Sequence, residues 1–86
     1  MKKRVAAVGT KNLVGLHVES FRKQKGLKQK DLADALTEKG VTISASGLSK
    51  LERQVRMVSD IELIALADVL NVPVGALLEV NDAENQ

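Results

Sequence analysis

The side chains that could perform catalysis are few and scattered along this sequence. His17 is the only histidine and the chain has no cysteine, so it cannot by itself assemble a His/Cys metal site or a histidine-activated nucleophile. Asp31 and Asp34 are a pair of nearby carboxylates, but lysines accompany them on the same predicted helix, which favours a solvated charged surface. The segment Gly-Thr-Lys at 9–11 lacks the upstream glycine of a phosphate-binding loop. We therefore expect no enzymatic activity, no metal and no cofactor.

Basic residues are better placed than any catalytic group, because they are confined to one part of the chain. All 13 lysines and arginines lie in residues 1–56, and with the five acidic residues before position 60 they give a net charge of +8. Residues 60–86 contain six acidic residues and no basic one, which gives −6. This polarity favours a basic surface that binds phosphate groups. A solvated surface with uneven charge is the simpler alternative.

The composition excludes several other classes of protein. Eighty-six residues form one domain, and the hydrophobic 44% is almost entirely aliphatic, with Phe21 as the only aromatic residue. Single-stranded nucleic acid is bound largely by stacking on aromatic rings, so this mode is not available. The apolar runs are too short for a membrane span or a signal peptide. We expect a cytoplasmic protein with no membrane partner.

Hydrophobic periodicity predicts five helices joined by short links. The first begins after Asn12 as N-cap and ends at Lys25; the others run from Gln29 to Glu38 or Lys39, Ala45 to Gln54, Asp60 to Leu70 and Val74 to Glu79. The flanking residues are predicted to be a flexible basic arm at 1–10 and a frayed acidic tail at 81–86, on either side of a domain at 11–80.

Turn and cap residues support these boundaries. Gly26, Gly40 and Asn71 suit the left-handed position that follows a helix. Ser44 is placed to cap the third helix, and Ser59 with a glutamate three residues later forms a capping box before the fourth. The fourth helix has a wide apolar stripe and is expected to be the central packing helix. That stripe comprises Ile61, Leu63, Ile64, Leu66, Ala67 and Leu70.

The second and third helices carry apolar residues that can interlock. Leu32, Ala33 and Leu36 lie in the second helix, and Leu48 and Leu51 lie in the third. Ala33 is small enough to let the two helices cross closely. The outward, N-terminal face of the third helix then remains free to enter a groove, which is the geometry of a helix-turn-helix.

Residues 14–78 resemble the Cro and repressor type of phage helix-turn-helix proteins, the XRE family. The matching segments are F-R-K-Q-K-G-L-K-Q-K-D-L-A at 21–33, I-S-A-S-G-L-S-K-L-E at 43–52 and S-D-I-E-L-I-A-L-A-D-V-L-N-V at 59–72. The resemblance implies an all-α, compact five-helix bundle in which helices two and three form the helix-turn-helix. It also implies sequence-specific binding to double-stranded DNA, usually as a dimer that regulates transcription. We therefore expect the protein to be nucleoid-associated when it is bound to DNA.

The resemblance assigns roles to individual residues. It implies a structural ion pair between Arg22 and Glu52. Residues expected to contact base edges are Ala45, Ser46 and Lys50. Residues expected to contact the DNA backbone are Lys28, Gln29, Ser44, Gly47, Ser49, Arg53 and Arg56. Chemically, alanine can touch a thymine methyl and lysine can reach guanine O6 and N7; a solvated lysine or an exposed glutamine is the plain alternative for Lys50 and Gln29.

Two features depart from the family pattern. The link T-E-K-G-V-T-I at 37–43 is about five residues longer than usual, so either the second helix gains a turn or the loop bulges. The base-reading positions are small, where the family often has arginine or glutamine. This moves the expected readout towards Lys50 and DNA shape.

We therefore expect a transcriptional regulator, a repressor acting as a homodimer through its acidic C-terminal part. Leu77, Leu78 and Val80 lie there, and they serve either the dimer contact or the core. The alternative is a protein-interaction module of the same fold, antitoxin-like or an adaptor, with secondary DNA binding and a protein partner. A third alternative is a basic surface that binds nucleic acid without sequence preference.

Overall fold

The computed structural model describes residues 9–79, and this part of the chain is helical without any β-strand. Its elements are α1 (Gly15–Gln24), α2 (Gln29–Glu38), α3 (Ala45–Glu52), α4 (Asp60–Leu70) and α5 (Val74–Leu78). The predicted all-α five-helix bundle is thus confirmed. The predicted tail at 81–86, Val80 and most of the predicted arm lie outside the described residues. Within 9–79, every helix is too short or too polar to cross a membrane.

Four helix boundaries differ from the sequence prediction, and one of them is the end of α1, at Gln24 rather than Lys25. α1 begins at Gly15 rather than directly after Asn12, because the Asn12 side chain acts from outside the helix: its Oδ1 accepts from the amides of Val14 at 3.1 Å and Gly15 at 2.8 Å. α3 stops at Glu52, two residues before the predicted end, and α5 stops at Leu78, one residue before it. The bounds of α2 and α4 agree with the prediction.

Four of the helices end with a residue in the left-handed backbone conformation. This conformation lets the amides of that residue and of the next one donate to carbonyls in the last turn of the helix. The sequence predicts this residue for α1, α2 and α4, and it is found at Gly26 (φ 72°), Gly40 (φ 87°) and Asn71 (φ 59°). For α3 the residue is Gln54, with φ 65°. Glutamine has no special preference for this conformation, so sequence reading places the end of α3 too late.

For the long link between α2 and α3 the sequence leaves two alternatives, an additional turn of α2 or a bulged loop. The structure shows part of each. Thr37 and Glu38 belong to α2, so the helix takes part of the extra length. The rest is an extended segment in which Val41 and Ile43 are buried while Thr42 between them is exposed. The buried side chains of Val41 and Ile43 attach the link to the core, and this places Ser44 where it caps α3.

The core is formed by aliphatic side chains from all five helices, and α4 packs against α1, α2 and α5. Two residues of the apolar stripe of α4 do not belong to this core. Ile61 and Ile64 are 68% and 61% exposed, while Ala65 is buried. The stripe is wider than the side of the helix that its neighbours cover, so one edge of it remains at the surface.

The predicted capping box at the start of α4 is present and is extended by an arginine. The Ser59 hydroxyl accepts from the Glu62 amide at 3.1 Å, and the Glu62 carboxylate accepts from the Ser59 amide at 3.0 Å. Arg56 Nη2 lies 3.1 Å from Glu62 Oε2. Burial acts to raise the pKa of Glu62, but the hydrogen bonds from Arg56 and from the Ser59 amide together outweigh it and lower the pKa.

This lowered pKa predicts acid sensitivity of the fold. The folded pKa of Glu62 lies below its ordinary value of 4.5, so its contribution is present above that pH and is lost as the pH falls through the folded pKa. We expect Glu62→Gln to be less stable than the wild type at neutral pH and to lose less stability on acidification. Thermal unfolding between about pH 3 and 6 measures this. Parallel curves of stability against pH for wild type and Glu62→Gln would contradict the assignment.

Candidate nucleic-acid interface

α3 presents one face to the core and the opposite face to solvent. Leu48 and Leu51 are completely buried, and the helix packs on α1 and α2 through this side. Ser46, Lys50 and Arg53 are exposed, and their spacing of four and three residues puts them on one helical face. The outward face of α3 therefore carries one hydroxyl and two positive charges.

The start of α3 is capped and closely packed. Ser44 Oγ accepts from the Gly47 amide at 2.9 Å, which gives Ser44 a structural role whether or not it also donates to a phosphate. A Cβ at Gly47 would lie 3.1 Å from Ile43 Cγ2 and 3.4 Å from Ser44 Oγ. Packing of the link against this first turn thus favours glycine in addition to any need for close approach to DNA. Ala45 and Ser49, the remaining small residues of the face, are half-buried.

The end of α3 is tied to α1 by a buried ion pair. Arg22 Nε lies 2.7 Å from Glu52 Oε2 and Arg22 Nη2 lies 2.9 Å from Glu52 Oε1, so the pair is bidentate. Arg22 Nη1 also donates to the Leu27 carbonyl at 2.8 Å. The hydrogen bond with Glu52 raises the pKa of Arg22 despite the opposing effect of burial. The two charges lock α1, the turn after it and α3 together.

Gln29 connects this ion pair to the start of α2. Its Nε2 donates to Glu52 Oε1 at 3.0 Å, which places the first turn of α2 beside the last turn of α3. Lys28 precedes it as an exposed N-cap, whose amide donates to Asp31 Oδ2 at 2.9 Å. The positive end of the α2 dipole therefore lies next to an amide side chain and an exposed ammonium group, which is a favourable arrangement for an anion.

Ion pairs divide the basic residues into two groups. Arg56 is bound to Glu62 as described, and Lys30 Nζ lies 2.9 Å from Asp34 Oδ2. Among residues 9–79, five basic residues take part in no salt bridge: Lys28, Lys50 and Arg53 of the candidate interface, and Lys11 and Lys25. Their charges are therefore fully available to phosphates, whereas Arg56, which the sequence places in the same role, shares its charge with a carboxylate.

The sequence gives no indication of a further contact at the end of α3, made by residues that precede α1. The Gly9 amide donates to the Arg53 carbonyl and the Lys11 amide donates to the Gln54 carbonyl, both at 2.8 Å. Gly9 and Thr10, assigned by sequence to the flexible arm, are therefore part of an anchored segment. We call residues 9–12 and their hydrogen bonds to the end of α3 the N-terminal clasp.

Asn12 completes the clasp with its side chain. Its Nδ2 donates to the carbonyls of Leu51 at 3.1 Å and Arg56 at 2.8 Å, while Gln54 Nε2 donates back to the Asn12 carbonyl at 2.8 Å. The partners are 39 to 44 residues apart in the chain. No local pattern could indicate a contact over such a separation.

Comparison with known proteins places this arrangement in a family. The helix-turn-helix family model HTH_3 matches residues 18–77. Two crystal structures of the clp gene regulator ClgR from Corynebacterium glutamicum are similar, each 31% identical over 79% of this chain, with TM-scores of 0.69 and 0.68. The matches cover 67% and 82% of those chains. No curated protein gives a significant match.

These matches agree with the fold of the described residues. The matched region contains α2, the link and α3, so the helix-turn-helix identified by sequence is the one in the structure. Proteins of this kind are DNA-binding regulators rather than enzymes. The chain belongs to the XRE-type helix-turn-helix family of DNA-binding transcriptional regulators.

Proposed function

We propose that the protein is a sequence-specific regulator of transcription that binds double-stranded DNA as a homodimer and acts as a repressor. The observation that carries this proposal is the face formed by Ser46, Lys50 and Arg53, exposed on a helix whose other side is fixed to α1 and α2. A helix of this kind enters the major groove as a rigid body. Occupation of the groove excludes other proteins from the same base pairs, and this exclusion is the proposed means of repression.

The proposed roles follow from charge, exposure and position. Lys50 reads guanine through O6 and N7, while Ala45 and Ser46 contact neighbouring base edges. Contacts with the DNA backbone come from two places, the start of α2 and the outer side of α3, and they position the domain without reading sequence. The residues proposed for them are Lys28, Gln29, Ser44, Gly47, Ser49 and Arg53, with Arg56 in a lesser role.

The proposed dimer contact lies in the acidic C-terminal part. Leu77 is completely buried and belongs to the core, whereas Leu78 is 40% exposed. Ile61 and Ile64 add exposed apolar surface on α4. Apolar surface of this kind, away from the basic face, supports a self-complementary contact. The same residues support a second candidate function, a protein-interaction module, antitoxin-like or an adaptor, in which this surface binds another protein and DNA binding is secondary.

Selection of bound sequences from a random duplex pool tests the proposal. We expect an enriched motif made of two half-sites about 10 base pairs, or about 34 Å, apart. A titration of the selected and random duplexes with salt then separates the alternatives. Equal affinity for both duplexes at every salt concentration would exclude sequence-specific binding. Weak binding to all duplexes, together with no sequence enriched from the pool, would favour the protein-interaction module.

Two substitutions distinguish base reading from backbone contact. Lys50→Ala should relax the preference at one base position, with a loss of about 1–3 kcal/mol on the selected duplex. Gln29→Ala should weaken binding to selected and random duplexes by the same factor. Competition assays with single-base variants of the selected duplex measure both effects. Lys39→Ala is the matched lysine control, because Lys39 Nζ lies 2.6 Å from Asp68 Oδ2 on the acidic helix α4. Identical profiles for Lys50→Ala and Gln29→Ala would contradict the assigned roles.

A further inference from the structure

We propose that the N-terminal clasp positions α3 for recognition of its DNA sequence, with Asn12 as the main positioning residue. The proposal rests on the proposed function, because it concerns the same helix and the same bound DNA. It adds to the site a segment that precedes α1 and is hydrogen-bonded to the C-terminal end of α3.

The clasp satisfies the backbone at the point where α3 stops. The last carbonyls of a helix have no partner within the helix. At the end of α3, clasp residues donate to the carbonyls of Leu51, Arg53 and Gln54. Water is therefore not the principal partner of these groups, and the last turn is held in one arrangement.

The clasp contacts a residue whose backbone conformation is unfavourable. Gln54 has the left-handed backbone conformation, which is unfavourable by about 1–2 kcal/mol for a residue with a Cβ. It is only 4% exposed, and its side-chain amide donates to the Asn12 carbonyl. Strain of this kind persists when the surroundings determine the conformation, and it is common at functional sites.

Both basic residues of the outward face belong to the turn that the clasp fixes. The Lys50 carbonyl accepts from the Val55 amide at 3.0 Å, a bond that requires the left-handed Gln54, and the Arg53 carbonyl accepts from Gly9. Loosening of this turn should change where Lys50 and Arg53 lie relative to the start of α2. Base hydrogen bonds require accurate placement, whereas attraction between a lysine and phosphates does not.

Two substitutions open the clasp by different means. Asn12→Asp keeps the acceptor that binds the Val14 and Gly15 amides but loses the Nδ2 donor to Leu51 and Arg56. Gly9→Ala changes no charge: its Cβ would clash with the Gln54 carbonyl and lie 2.8 Å from Val55 Cγ1. Gly75→Ala is its matched control, since a Cβ there meets nothing within 4 Å.

The experiment measures the ratio of affinities for selected and random duplexes at one salt concentration. We expect the ratio to fall about tenfold, the equivalent of about 1.4 kcal/mol, in Asn12→Asp and Gly9→Ala and to stay unchanged in Gly75→Ala. His17→Ala removes the 2.8 Å hydrogen bond between Nε2 and the Glu79 carbonyl, and controls for lost stability alone. His17→Ala should lower the melting temperature without changing the ratio of affinities.

Amide hydrogen exchange of the free protein provides a second readout. The Gln54 and Val55 amides should exchange faster in both clasp variants than in the wild type and in His17→Ala. The clasp proposal is overturned if the variants lose stability while keeping the wild-type ratio, as His17→Ala does. Absence of any discrimination by the wild type would instead overturn the proposed function, and the clasp proposal with it.

Discussion

Replacing Glu52 with glutamine is expected to lower the free energy of unfolding by about 3–5 kcal/mol. The substitution preserves size but removes the charge that faces Arg22, whose side chain is only 9% exposed. A buried guanidinium without its carboxylate retains the full unfavourable free energy of desolvation. Since domains of this kind are stable by roughly 5–15 kcal/mol, much of the stability should be lost. Chemical denaturation at low temperature measures the change.

Two further variants test whether the buried charge is the reason. Glu19→Gln removes a surface ion pair with Lys23, with 3.1 Å between Nζ and Oε2, and should change stability by less than about 1 kcal/mol. Arg22→Met combined with Glu52→Met replaces both charges by apolar groups and should be more stable than Glu52→Gln alone. If the double variant were less stable than Glu52→Gln, specific geometry rather than an uncompensated charge would explain the effect.

Gly15→Ala is expected to lower the free energy of unfolding by about 1–3 kcal/mol, although alanine is the better helix former. A Cβ at Gly15 would clash with the Leu51 carbonyl and lie 2.9 Å from the Glu52 carbonyl and 2.8 Å from Gln54 Cγ. Two of these neighbours are backbone atoms, so α1 and α3 would have to separate. Thermal or chemical unfolding of the purified variant measures the loss.

Gly75→Ala again provides the matched control, in this case for helix propensity. Gly75 lies in α5 with open space around it, so alanine should be neutral or stabilise the protein by up to about 1 kcal/mol. Opposite signs for the two glycine substitutions are the expected pattern. A Gly15→Ala variant as stable as the wild type would mean that α1 and α3 can move apart freely at this contact.

Local signals in the sequence are sufficient to predict most of the fold. The capping residues Ser44 and Ser59 and the left-handed Gly26, Gly40 and Asn71 lie where their types predict. These predictions succeed because a cap or a helix end depends on a few neighbouring residues. The resemblance to the XRE family adds the order of the helices, and the outward face of α3 follows from periodicity.

The sequence fails to predict features that depend on distant residues. The left-handed Gln54 and the role of Asn12 at the end of α3 arise from hydrogen bonds between segments about 40 residues apart. The exposure of Ile61 and Ile64 depends on how far neighbouring helices cover α4. The pairing of Arg56 with Glu62 also required the structure, since either charge alone is compatible with a surface residue.

The clasp has a consequence for the order in which the protein folds. Residues 9–12 leave the ribosome before any of the five described helices, yet their partners at 51–56 are made 39 to 44 residues later. Closing a loop of this length is entropically unfavourable until the intervening helices have brought its ends together. We expect the beginning of the described chain to be among the last parts to become ordered. The end of α3 would then reach its final form only when synthesis and packing of the helix-turn-helix are complete.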